Sequence, residues 1–298
     1  MHKRSLLLLG ALAASCAHES PRPRRALAPS SVAQVAEPQA SEPESTPVPA
    51  AQELPIPEPL KPKIERVAQV GRDLYLQEKA AGLGVTAVEA QYGTLEGKGL
   101  RGYLAQRETD TSGRPLDHFV VTFFTASEEP QVRYRVRVDP ETGRDARVES
   151  LEPPEALNPR LLPLVRARIT ALAAAPAVKL ATPVVLPGSS TGEDDVVVYL
   201  LNHSERGDIA IMGPHRRIVL SADGTQVKST GTVGQAGEEM VGADDWPIGV
   251  SHDGDTPSEI HVYLSLLHRV RFFVGTPSGR WHVNGDRITL DSTETTAR

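Results

Sequence analysis

Ten prolines and no aromatic residue fall in SPRPRRALAPSSVAQVAEPQASEPESTPVPAAQELPIPEPLK, the stretch from Ser20 to Lys61. Such a segment cannot bury enough apolar surface to offset its conformational entropy. Its proline density biases it toward extended polyproline II, at ~3.1 Å per residue, which gives a reach on the order of 100 Å. Residues 16–61 therefore read as a disordered tether, and a packed fold is confined to the chain from Pro62 onward. Arg22, Arg24 and Arg25 make a small basic cluster within the tether, best read as solvated linker.

The residues ahead of the tether say how it is held. His2, Lys3 and Arg4 form a positive flank, and Leu6 to Ala14 an apolar run far short of the ~20 residues that span a bilayer. It has the length of a secretory h-region, so residues 1–15 read as a signal peptide. The run closes on Leu12-Ala13-Ala14-Ser15-Cys16, which resembles the lipobox of bacterial lipoproteins. The usual pattern has Leu three residues before the Cys; here Ala13 holds that place and Leu12 precedes it. The resemblance implies a diacylglyceryl group on the Cys16 thiol and cleavage just before it. Cys16 is the only cysteine, so no disulfide can form within one chain. Two or more acyl chains give stable attachment, at ~0.8 kcal/mol per buried CH₂. Ala17 in place of Asp implies, by the same resemblance, an outer-membrane anchor with the folded part facing the periplasm.

The net charge is −6, and loss of Lys3 and Arg4 with the leader makes it more negative. A negative chain is a poor generic binder of phosphate backbones, so nucleic acid is not an expected partner. Aromatic residues are 4% of the chain, too few to supply rows of stacking platforms.

Ile64, Val67, Ala68, Gly71, Leu74 and Tyr75 keep helical spacing, which predicts an amphipathic helix over 63–81, with Pro62 in its first turn and Gly82 as a stop. Thr86 to Gln91 continues the helical pattern past Gly84. Leu100–Arg107, Phe119–Thr125, Val132–Val138 and Ala146–Leu151 then read as strands, completing a helix-plus-sheet unit over 62–152. Val132 to Val138 alternates strictly and puts Arg133, Arg135 and Arg137 on one face. A hairpin at Asp139–Gly143 would set Arg137 opposite Asp145 and Arg133 opposite Glu149, which favours a neutralised face over an anion-binding one.

Asn158 before Pro159 signals a linking helix within 153–176, carrying Leu161, Leu164, Val165, Ile169 and Leu172. Residues 177–291 read as a mostly-β unit. Its strands are Val184–Leu186, Val196–Leu201, Arg217–Leu220, Thr225–Ser229, Ile260–Leu264, Val270–Val274, Trp281–Val283 and Arg287–Leu290. Ala222-Asp223-Gly224, Pro277-Ser278-Gly279 and Asn284-Gly285-Asp286 are its hairpin signals, Gly231–Asp245 a long surface loop, and 292–298 a frayed tail. The class is α+β, ending in an antiparallel sandwich or a curved sheet. The stretches GPHRRIVLSADGTQV (213–227) and SEIHVYLSLLH (258–268) resemble segments of uncharacterised exported proteobacterial proteins, a likeness that brings no activity with it.

Chemistry-bearing motifs are weak. Gly188-Ser189-Ser190-Thr191-Gly192 fits G-x-S-x-G, but a hydrolase elbow needs a helix after the Ser, and the next residues read as strand. Five of nine histidines come after residue 214, yet no H-E-x-x-H or close pair announces zinc. On a strand, His261 and His268 would lie on opposite faces. Neither a metal nor another cofactor is expected. The sequence thus points to an envelope lipoprotein with a non-catalytic binding or scaffolding role. Its partner would be an envelope protein or a cell-wall component, met through exposed sheet edges or the 231–245 loop. Arg133, Arg135, Arg137, His215, His261 and His268 are the candidate binding surface. The alternatives are a hydrolase using Ser189, Ser190 or a histidine-bound metal, and a secretion or assembly accessory lipoprotein.

Overall fold

The computed structural model describes residues 53–291, apart from 145, 176–180, 193, 205–208, 235–238 and 242–246. The leader, Cys16, most of the tether, and the tail 292–298 lie outside the described residues. The elements begin with β1 (Glu53–Leu54), α1 (Lys61–Tyr92), β2 (Leu100–Thr109), β3 (Pro115–Thr125), β4 (Gln131–Val138) and β5 (Arg147–Ala156). Then come α2 (Leu162–Ala174), β6 (Ala181–Leu186), α3 (Gly188–Thr191), β7 (Val196–Asn202), β8 (Ile209–Ile211), β9 (His215–Leu220) and β10 (Val227–Val233). The chain continues through β11 (Glu239–Val241), β12 (Ile248–Ser251), α4 (Glu259–His268), β13 (Arg271–Thr276), β14 (Gly279–Asn284) and β15 (Arg287–Asp291).

The fold is α+β, and α1 is its spine. Pro62 sits in the first turn, and Gly93, at φ 76°, ends the helix. The helix runs well past the expected stop at Gly82. Gly84 lies so close to β3 that an added Cβ would be 2.9 Å from the Val121 Cβ, so the backbone itself packs there. Ile64, Val67, Val70 and Leu74 enter one core, whereas Leu76, Ala80, Ala81 and Val88 enter a second. That second core is closed by the sheet β2-β3-β4-β5.

The first core lies between two sheets. On one side is β1-β15-β14-β13-β12, giving Phe272, Val274, Trp281 and Val283; on the other is β10-β9-β7-β6. Strand β7 is buried on both faces. Val197, Tyr199 and Leu201 meet α1 and α4, while Val196, Val198 and Leu200 meet α2 in a third core. This explains its unbroken apolar run VVVYLL, since no position is left for a polar residue. The layers are therefore sheet, helix pair, sheet and helix.

At the junction with the other sheet, Gln106 Nε2 donates to Val185 O at 3.3 Å. Arg168 of α2 is buried there between Tyr103 and Phe124, its guanidinium carbon 5.3 and 6.0 Å from the ring centres.

Several sequence expectations are corrected. Residues 53–60 belong to the fold rather than the tether: Glu53 and Leu54 pair with Asp291 and Leu290, Arg287 grips both carboxylate oxygens of Glu53, and Ile56 and Leu60 pack on the first core. Strand β5 runs on through Pro153 and Pro154 to Ala156, so the linking helix starts later, with Pro163 in its first turn. Asn158 instead accepts the Arg160 N–H at 3.0 Å in a turn. Ile260–Leu264 is helix, not strand: α4 carries the chain from β12 to β13, which pair in parallel, so the sheet is not wholly antiparallel. Gly231–Val233 extends β10, and Glu239–Val241 pairs with β8, so the expected 231–245 loop contains strand.

Candidate functional site

Strand β12 is an edge of its sheet among the described residues, and beside it lies a trough of about 660 Å³. Its floor is the sheet face turned away from the helices. Parallel register puts Gly249 beside Phe273 and Ser251 beside Gly275, so two glycines hollow that face. No atom lies within 4 Å of where a Cβ on Gly249 would be. One wall is a stack: the Arg280 guanidinium lies 4.0 Å from the Phe273 ring centre, and the His282 ring 5.1 Å from it on the next strand. Arg280 is steadied from behind by Asp291, at 3.6 Å.

The other wall is the link from β12 to α4. His252 N–H donates to Gly275 O at 2.8 Å, prolonging the ladder by one residue. Thr276 Oγ1 donates to Asp255 O at 3.2 Å and receives the Trp281 indole N–H at 3.0 Å, which ties this link to the buried tryptophan. His252 is half-buried, and burial lowers its pKa while Asp253 beside it opposes the shift. The result is a rigid, shallow recess offering main-chain groups, one cation and one aromatic face.

The predicted surface residues are placed otherwise. Arg135 meets Glu149 and Glu155 at 3.4 and 2.8 Å, Arg137 meets Glu108 at 2.7 Å, and Arg133 bonds Glu152. The stripe is neutralised, though in a register two residues from the expected one: Arg135, not Arg133, faces Glu149.

His215 is fully buried, accepting the Asn202 N–H on Nδ1 and facing Ile211 O with Nε2, both at 3.0 Å. His261 is 2% exposed, and its Nδ1 accepts the Ser258 N–H at 2.9 Å, closing a capping box at the start of α4. Burial pushes their pKa values down to about 4 and about 3. Both are interior hydrogen-bonding groups and not surface ligands. On helix α4, His261 and His268 stand two turns apart on one side rather than on opposite faces. His268 is half-buried in the last turn.

Ser189 and Ser190 lie on α3, one helical turn capped by Gly192, after which the chain enters β7. A single turn differs from the long helix of a hydrolase elbow.

The sequence reading missed a half-buried polar knot. Glu78 of α1 accepts the Tyr263 hydroxyl at 2.5 Å, and its other oxygen lies 2.7 Å from His203 Nε2. Glu78 stands four residues after Leu74 on the apolar stripe, which was the available signal. Among the described residues, no group of three or more His, Cys, Asp or Glu is arranged to hold a metal ion. No described helix is long and apolar enough to cross a membrane.

Comparison of the chain with protein-family models, with curated proteins and with solved structures finds no match in any of the three.

Proposed function

We propose that this chain is a lipid-anchored protein of the bacterial envelope, held at Cys16 by a proline-rich tether. Its folded part is a non-catalytic module that binds an extended polypeptide segment of an envelope partner beside β12. The observation that carries the binding role is the trough itself. A glycine-floored recess along an edge strand suits a backbone laid parallel to it, with the Phe273–Arg280 wall taking a side chain. The lipobox-like leader supports the anchor, and a tether of this composition holds the module clear of the membrane.

Two measurements test the reading separately. Cys16→Ala in the native host is expected to move the protein from the membrane to the soluble envelope fraction; continued sedimentation with membranes would defeat the anchor. A photo-crosslinking residue at exposed Asp253 is expected to give one discrete adduct in intact envelopes, reduced at least tenfold by Arg280→Ala. Adducts indifferent to Arg280, or none, would defeat the trough as the binding site.

A further inference from the structure

A second recess, of about 240 Å³, lies where α1 crosses the end of the sheet β2-β3-β4-β5. Gln69, Arg72 and Leu76 reach it from one side of the helix, Arg107, Asp117 and Phe119 from the sheet, and Pro140 and Glu141 from the turn after β4. Arg107 and Phe119 are cross-strand partners, and Asp117 stands two residues before Phe119. All three therefore share the sheet face that carries the second core, at the end where its apolar side chains give way to charged ones. The Arg72 guanidinium is answered by Glu141 at 3.0 Å and Asp286 at 3.5 Å. Arg107 is not. Its guanidinium carbon lies 5.3 Å from the Phe119 ring centre, and its Nε is closed off from solvent without a hydrogen-bond partner. It feels the Asp73 carboxylate at a distance, but Asp73 is engaged by Gln69 Nε2 at 3.1 Å, and Arg107 forms no ion pair among the described residues. Asp117, exposed at the rim, has no partner among them either. One unanswered cation and one unanswered carboxylate thus line the same recess without meeting each other.

We infer that this recess binds a small free amino acid, its carboxylate on the outer nitrogens of Arg107 and its ammonium on Asp117. A guanidinium drawn out of water costs stability until a counter-charge meets it, and a carboxylate can do so through two parallel hydrogen bonds. A plain anion suits the recess less well, because Asp117 and Glu141 on its walls would repel it. A plain cation would be repelled by Arg107. An amino acid carries both charges on one carbon, so it answers both walls at once, and Leu76 and Phe119 offer its side chain an apolar floor. The volume lies below the ~300–1,000 Å³ of sites for drug-sized ligands, which keeps the occupant small. The site is separate from the trough, which belongs to a different sheet.

The test is calorimetric titration of the full chain with glycine and with the L and D forms of alanine, valine and leucine. At least one is expected to bind one-to-one, with a Kd of ~1 mM or tighter. For the amino acid that binds, its amide lacks the carboxylate and its N-acetyl form lacks the ammonium; each should bind roughly tenfold more weakly or worse. Arg107→Gln and Asp117→Asn should each cause a loss of about the same size. Near-ultraviolet circular dichroism checks that both variants fold, and the ligand series reads on the unaltered chain in any case. No one-to-one binding by any of the seven overturns the inference. So does an amide or N-acetyl form that binds as tightly as its parent, or affinity unchanged in folded Arg107→Gln. Inorganic phosphate that binds as tightly as the amino acid, and is lost in Arg107→Gln, also overturns it, in favour of a simple anion site.

Discussion

Acidification from pH 7 to about 4 is expected to unfold this protein. In the fold His215 and His261 are neutral, with pKa values lowered to about 4 and about 3 by burial. Unfolded, they take up protons near the ordinary value of ~6.5. Below that value the unfolded state binds more protons than the folded one, so stability falls with pH, by ~1.4 kcal/mol per pH unit for each histidine. The loss from His215 is complete once the pH passes about 4, and that from His261 about 3. Two such groups over two to three pH units remove an amount comparable with the whole ~5–15 kcal/mol of a typical domain. Burial also lowers the pKa of His252, His268 and His282, which adds in the same direction. Urea midpoints measured from pH 7 to 4.5 should show the slope. His261→Gln keeps a capping acceptor for Ser258 without titrating, and should take away somewhat less than half of it. A flat profile across that range would refute the account.

Gly71→Ala should be a strongly destabilising one-carbon change. Its new Cβ would lie 2.5 Å from the Val262 Cβ and 2.7 Å from the Glu259 carbonyl oxygen, forcing α1 and α4 apart across the first core. Overpacking of this kind costs ~1–3 kcal/mol and sometimes more, which outweighs the ~1 kcal/mol that alanine gains over glycine inside a helix. Gly82→Ala is the matched control: the same helix, but nothing within 4 Å of the added carbon. It should raise stability by ~0.5–1 kcal/mol. Thermal melts of the two variants are expected to move in opposite directions from the parent. A stabilised Gly71→Ala would mean that the two helices are not in the contact described.

How much of the fold was legible in the chain depended on whether each element kept a solvent-facing side. The first half of α1 and the strand β4 show their periods because one face is polar. Arg133, Arg135 and Arg137 alternate with buried Val132, Tyr134, Val136 and Val138. Helix α4 has no such face over its first two turns, since Ile260 to Ser265 are all buried. Its run I-H-V-Y-L-S therefore mimics strand alternation, and the helix was betrayed only by Ser258 as N-cap with Glu259 after it. With α4 misread, the parallel β12–β13 pair, and the trough beside it, could not be foreseen. The histidines failed as surface candidates for a related reason. Residue type alone does not reveal whether both ring nitrogens are already engaged, as they are in His215.

The fastening of Glu53 and Leu54 to β15 bears on how load enters the protein. A pull on the leash arrives at a two-residue clip closed by the Glu53–Arg287 ion pair, and then at a helix rooted in two of the three cores. With the anchor and partner proposed above, strain between them would reach the interior through this helix instead of peeling away one outer strand.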